Sequence, residues 1–227
     1  MANIERGPQG QEMSKKRLVE RVHKDQEGKE QATTFEYDAQ GRRLKKVSND
    51  EQGRKIVEEE YQYDAKGNVV KVLRGAFSMD GKGFPRRTEA IEYDDQNREV
   101  RHTMTDGRGT IYFESQKEYD DRGRLARSRI VDPQSGETKS TTEHNYDEAT
   151  NRETVVTKDK EGKISGTVEA ELDERGMEIR AVVKNGEGEI IEMEEREHDL
   201  QGEPTRVIKK NSKGEVMSIS EWRNKYE

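Results

Sequence analysis

The sequence predicts an all-β protein: a long antiparallel β-meander of about 15 strands, built from hairpin repeats of about 26 residues and forming an open or coiled, partly single-layer sheet. Three observations carry this expectation. A turn signal, Asp or Asn followed three residues later by Gly, recurs about every 13 residues from Asp25 to Gly214. Between the turns, polarity alternates with period two where the pattern is cleanest, not with the 3.6 of a helix. Only 28% of side chains are hydrophobic against 40% charged, so most strands must keep one face in water. With 49 acidic and 42 basic residues the formal charge is only −7, which favours pairing across neighbouring strands over chain expansion.

Residues 1–12, including Gly7-Pro8-Gln9-Gly10, have no periodicity and are expected to be a flexible N-terminal segment, with a single sheet domain over 13–227. Leu18, Val19 and Val22 fit a first strand entering the Asp25 turn. The main repeat follows as Tyr-Asp-x-x-Gly-(Arg/Asn): Tyr37, Asp38 and Gly41; Tyr63, Asp64 and Gly67; Tyr119, Asp120 and Gly123. Two copies place Asn in the glycine slot, Tyr93-Asp94 with Asn97 and, with one inserted residue, Tyr146-Asp147 with Asn151. Two more keep the turn but lose the tyrosine, Leu172-Asp173 with Gly176 and His198-Asp199 with Gly202. Successive copies are 26, 30, 26, 27, 26 and 26 residues apart. These side chains are read as structural turn residues. Asp accepts backbone N–H groups at the start of a type I turn, and Gly or Asn tolerates a positive φ at its fourth position. A second series, Asp25 to Gly28, Asp50 to Gly53, Asp80 to Gly83, Asp106 to Gly109, Asp132 to Gly136, Asp159 to Gly162, Asn185 to Gly188 and Asn211 to Gly214, alternates with the first.

If Asp173 to Gly176 is a four-residue loop, Leu172 faces Met177, Ala170 faces Ile179, Val168 faces Ala181, and Glu169 pairs with Arg180 on the other face. The same register sets Phe35 opposite Leu44, Tyr61 opposite Val70 and Ile91 opposite Val100. From Gln116 to Arg129 the alternation does not define a buried face. At the end of the chain the only Trp, Trp222, is read as a cap on the last strand.

The Tyr-Asp-x-x-Gly-Arg-Leu signature, nearly intact at Tyr119 to Leu125, resembles the YD repeat of bacterial Rhs proteins and the related animal teneurins over roughly residues 20 to 220. That resemblance implies antiparallel sheets spiralling into a hollow shell that encloses a toxin domain or presents adhesive surfaces. The chain departs from the large members in being much shorter, in lacking their terminal motifs, and in having no toxin-like segment after Gly214.

Chemistry is sparsely signalled. His23, His102, His144 and His198 are far apart, and His198 occupies a repeat Tyr slot, so a packing role is the simpler reading. Each turn offers one Asp, too few oxygens for a calcium loop. No cysteine is present, which excludes disulfides and thiolate metal sites. No nucleophile signature or phosphate loop is found. The expected protein is therefore a non-enzymatic structural or binding scaffold without cofactor or metal. Its extended sheet would face a protein or glycan partner, and its unpaired edge strands could take up another copy. The alternative is an Rhs-like shell or toxin-delivery component wrapping a client. Nucleic acid is not expected, because basic residues form no stripe, and a membrane is not expected, because no run of about 18 apolar residues exists. The initial segment lacks the apolar run of a signal peptide, so the chain as written reads as cytoplasmic, while the resemblance also admits export or the cell surface.

Overall fold

The computed structural model describes residues 18–24, 28–78 and 82–226. The expectation for residues 1–12 lies outside them. The described chain forms sixteen antiparallel strands in sequence order. They are β1 Leu18–Lys24, β2 Glu30–Tyr37, β3 Arg43–Asn49, β4 Lys55–Tyr63, β5 Val69–Ala76, β6 Arg87–Tyr93, β7 Glu99–Thr105 and β8 Ile111–Tyr119, followed by β9 Leu125–Val131, β10 Thr138–Asp147, β11 Arg152–Asp159, β12 Ile164–Leu172, β13 Glu178–Asn185, β14 Ile190–His198, β15 Pro204–Asn211 and β16 Val216–Tyr226.

The sheet is neither open nor coiled. It closes into a barrel through antiparallel pairing of β1 with β16, for example Val22 with Arg223 and His23 with Trp222. Strand twist accumulates in one direction, and an open meander of this length would leave two rows of unpaired N–H and C=O groups. Closure satisfies both rows. It also removes the two free edges on which the expectation of edge-to-edge assembly rested.

The register also differs from expectation, by two residues at each repeat checked. Ala170 pairs with Ala181 and Val168 with Val183, while Glu169 faces Val182 and Arg180 faces Glu171. Phe35 likewise meets Lys46, Tyr61 meets Val72 and Ile91 meets His102. The cause is local. Asp173 belongs to the ladder, donating its N–H to the Met177 carbonyl at 2.8 Å, while Gly176 N–H closes the turn on Asp173 O at 2.9 Å. This is a three-residue loop with a bulge at a left-handed glycine, φ 76° at Gly176, followed by a second register shift between Glu171 and Leu172. A shift of two keeps every side chain on its expected face, so the pattern of faces survives the change in partners.

The two departures from the 26-residue spacing have separate origins. A longer excursion between β5 and β6, pinned by a Phe77–Gly83 bridge, accounts for the 30-residue interval. The extra residue in the Asp132 turn, where Asp132 N–H reaches Glu137 O instead of a partner four residues on, accounts for the 27 between Tyr119 and Tyr146, while in the Asp147 turn Asn151 takes φ 50°. Where Gly109 sits at φ 87°, an added Cβ would meet no atom within 4 Å, so its cost is purely conformational. Gly109→Ala is expected to cost about 1–2 kcal/mol, lowering the thermal midpoint by roughly 2–8 °C, and Gly109→Asn less than half of that. Equal losses in calorimetry would show that backbone conformation is not what this glycine supplies.

Each strand approaches only its two ladder neighbours, so among the described residues the barrel interior is open. Sixteen strands at ~4.8 Å spacing and ~40° tilt give a backbone diameter of about 30 Å if the section is circular, leaving about 20 Å between side chains. No large side chain among the described residues is fully buried, in keeping with a wall wetted on both sides.

Candidate functional site

The register links one set of alternating side chains around the whole barrel. It runs through Arg21, Thr33, Ser48, Val57, Ala76 and their counterparts, and returns to Arg21 through Ser220, Trp222 and Asn224. This face holds the motif tyrosines, all four histidines and Trp222. It is the concave one: its side chains line a recess spanning β16, β1, β2 and β3. Its ion-paired carboxylates are also mostly more enclosed than those of the opposite face. It therefore lines the lumen. The outer wall is laced by ion pairs such as Lys45–Glu58 at 2.6 Å, Arg101–Glu114 at 2.9 Å, Lys158–Glu143 at 2.7 Å and Arg152–Glu171 at 2.9 Å.

All seven Tyr-Asp type turns lie at one end of the barrel, together with the start of β1 and the end of β16. The structure gives each motif position a separate task there. Asp94 Oδ1 accepts the N–H groups of Gln96 and Arg98, both at 2.9 Å, and Oδ2 accepts Arg98 Nε at 2.8 Å. The backbone N–H of Arg98, then its guanidinium, hold this carboxyl below the usual aspartate range. Asp38 and Asp120 repeat the arrangement with Arg42 and Arg124, and Asp64 with Asn68. The same arginine then lies over the tyrosine of the next repeat. Arg42 is 4.9 Å from the Tyr63 centroid, Arg98 4.7 Å from that of Tyr119, and Arg124 4.4 Å from that of Tyr146. Each tyrosine hydroxyl donates to a carbonyl at the start of the preceding strand: Tyr37 to Leu18, Tyr63 to Arg43, Tyr93 to Val69, Tyr119 to Glu99 and Tyr146 to Leu125. Successive hairpins are thus laced at the rim, at about 1 kcal/mol for each hydrogen bond and about 0.5–1 for each stacked guanidinium. Burial, then the Glu153 carboxylate, push the Tyr146 hydroxyl up to about 12.

The turns at Asp147 and Asp173 lack the arginine partner at the sixth position, and Leu172 and His198 lack the tyrosine hydroxyl. There Arg175 bridges instead, from Asp173 Oδ2 to the Asp199 carbonyl, both at 3.0 Å. Asp199 in turn accepts the Tyr226 hydroxyl at 2.6 Å, which ties the last strand to this end. Asn97, φ 62°, and Gly41, Gly67, Gly123, Gly176 and Gly202, φ 76–93°, all occupy the left-handed position.

Across the inner wall runs an ionic belt that the sequence reading missed. Lys46 pairs with Glu59 at 3.4 Å, Glu59 with Arg74 at 3.0 Å, and Arg74 with Glu89 at 3.1 Å. His102 lies 3.5 Å from Glu89 and 3.8 Å from Glu99, which pairs with Lys117 at 2.9 Å. A signal was available: Lys46, Glu59, Arg74 and Glu89 alternate in sign at intervals of 13 to 15 residues, one half-repeat. A second cluster lies across the barrel, with His144 on Glu153 at 2.7 Å and Arg196 between Glu178 and Glu194. Burial, with Glu194 and Glu153 nearby, raises the Glu178 carboxyl above its ordinary value despite Arg196. The histidines stand on four different strands, β1, β7, β10 and β14, and no group of three or more His, Asp or Glu among the described residues is arranged to hold a metal ion.

Trp222 does not cap an end. It stacks on His23 across the closing seam, with ring centroids 5.3 Å apart. At the end of the barrel opposite the tyrosines, the strands β12, β14 and β16 begin with exposed apolar side chains, Ile164, Ile191 and Val216 among them.

No family model matches the chain. No curated protein matches it either. Among solved structures it is similar to a porin-like protein from Bacteroides uniformis, with 9% identity and a TM-score of 0.57 over 92% of this chain and 98% of that one. A porin-like protein from Bacteroides vulgatus follows at 7% identity and TM-score 0.40, over 93% and 99% of the two chains. The TcdB2-TccC3 structure matches at 9% identity and TM-score 0.28, over 86% of this chain but 15% of that one. The first similarity speaks to the fold, a closed antiparallel barrel, and to nothing beyond it.

Proposed function

We propose that the protein is a non-catalytic scaffold that receives an extended polypeptide or glycan segment in its lumen. The observation that carries this reading is the polar interior: among the described residues no strand crosses it, and its wall is built of paired charges, hydroxyls and aromatic rings. In this reading the Tyr-Asp motif is a YD-type repeat closed into a small cylinder, and the exposed apolar lip at Ile164, Ile191 and Val216 supports contact with a protein partner. A shell around a folded toxin is disfavoured by size. A domain of ~100 residues, radius of gyration about 13 Å, is wider than the ~20 Å opening. The barrel works in water, since its outer wall carries charges such as Arg101 and Lys158 along the strands, and a lipid-facing Arg or Lys costs about 2–4 kcal/mol at the bilayer midplane.

The test uses photo-crosslinking residues placed one at a time at inner positions Thr142 and Thr157 and at outer positions Thr141 and Lys158, in cells of the source organism. Adducts with one partner at the inner positions and not the outer ones are expected. Adducts equal on both faces, or none at the inner positions, would remove the lumen as the binding surface.

A further inference from the structure

We propose that the recess beside the closing seam binds a small phosphorylated sugar, with Arg43 as the anion receptor. The recess has a volume of about 410 Å³, within the range of ligand pockets and ample for a hexose phosphate.

Its cations are unequally satisfied. Arg21 is paired with Glu203, and Lys46 shares Glu59 with Arg74. Arg43 has no carboxylate partner among the described residues. It is half-buried, its guanidinium lies 4.6 Å from the Phe35 ring centroid and 5.9 Å from that of Tyr61, and its Nε is buried without a hydrogen-bond partner. A half-buried guanidinium without a counter-ion costs free energy that an incoming anion would recover. The guanidinium fork is also the side chain best matched to phosphate. On the facing wall, the Nε2 of His23 is a second buried polar atom without a partner. The summed formal charge of the lining favours an anion: Arg21, Arg43 and Lys46 against Glu203 alone.

The rest of the lining suits a sugar ring. Phe35 sits 4.6 Å beneath the Arg43 guanidinium, and Trp222 is stacked on His23, so two aromatic faces flank the opening. Thr33 and Ser48, joined to each other at 3.0 Å, stand between them as hydroxyl partners. The recess is part of the lumen wall, but the proposal rests on its own lining and not on a chain being held in the lumen.

Trp222 is the only tryptophan, so its fluorescence reports on this recess alone. Glucose 6-phosphate, inorganic phosphate, glucose and, at matched ionic strength, potassium chloride would be titrated into the full chain. A saturable change with glucose 6-phosphate is expected, with phosphate about tenfold weaker and no saturation with glucose or chloride. Arg43→Gln and Ser48→Asp are each expected to weaken binding by about tenfold or more. Ser48→Asp leaves Arg43 in place, so it tests the site even where Arg43→Gln does not fold. The absence of saturation with either phosphate compound, or unchanged affinity in folded Ser48→Asp, would overturn the site. Equal affinity for phosphate and glucose 6-phosphate would overturn the sugar assignment.

Discussion

Ending the chain after Asn211, which removes β16, is expected to release β1 nearly 200 residues away in sequence. β1 is held on one side by β16 and on the other by β2. Side chains of β16 also hold the first hairpin, Asn224 to Arg21 of β1 at 3.1 Å and Arg223 to Glu30 of β2 at 2.6 Å. Without β16, β1 and β15 become edges, and the first hairpin loses half its ladder. The amides of Leu18 to Lys24 should lose about a hundredfold or more of their hydrogen-exchange protection, and light scattering should show association through the new edges. In an open array, whose repeats touch only sequence neighbours, the damage would stop near the cut. Unchanged protection in β1 together with a monomeric truncated chain would contradict the closed barrel.

Glu59→Ala is expected to be the most costly single substitution on the inner wall, at about 2–3 kcal/mol, or roughly 4–12 °C in thermal midpoint. Glu59 is 5% exposed and accepts from Lys46, Arg74 and the Tyr61 hydroxyl, the last at 2.5 Å. Removing it leaves Lys46 unpaired and breaks the belt. The figure falls below that for a fully buried pair because Lys46 and Arg74 both reach water. Burial opposes ionisation of Glu59, yet the Tyr61 hydroxyl, Lys46 and Arg74 outweigh it and hold the carboxyl below its ordinary value. The folded pKa therefore lies below the unfolded value of about 4.3. The stabilisation from this carboxylate is fully present above that pH and is lost as pH falls through the folded value. Denaturant titrations should give a constant difference between parent and variant from pH 7 to about 5, and a shrinking one below about 4. A difference that grew on acidification would show that the carboxylate acts in some other way. On the same wall, burial, then Glu59, hold Tyr61 near 12, so the hydroxyl stays a donor across this range.

Much of the fold could be read without coordinates because its signals are local. Asp94 and Asn97 act within one turn, and period two sets faces within one strand, so turns, strand limits and face assignments follow from short windows. The register was harder to read because the bulge at each left-handed glycine adds a residue to one strand that no polarity pattern marks. The inner belt was harder still: Glu59 and Arg74 are partners only because β4 and β5 lie side by side, which no local window shows.

The sequence by itself determined a meander of hairpins with one sparsely apolar and one charged face, since an Asp carboxylate on nearby N–H groups and a positive φ at Gly or Asn are decided within five residues. Only the tertiary structure decided that the first and last strands meet. Closure depends on twist summed over sixteen strands. With it came the lumen and the seam recess, where Arg43, His23 and Trp222 are neighbours because β1 and β16 share a ladder.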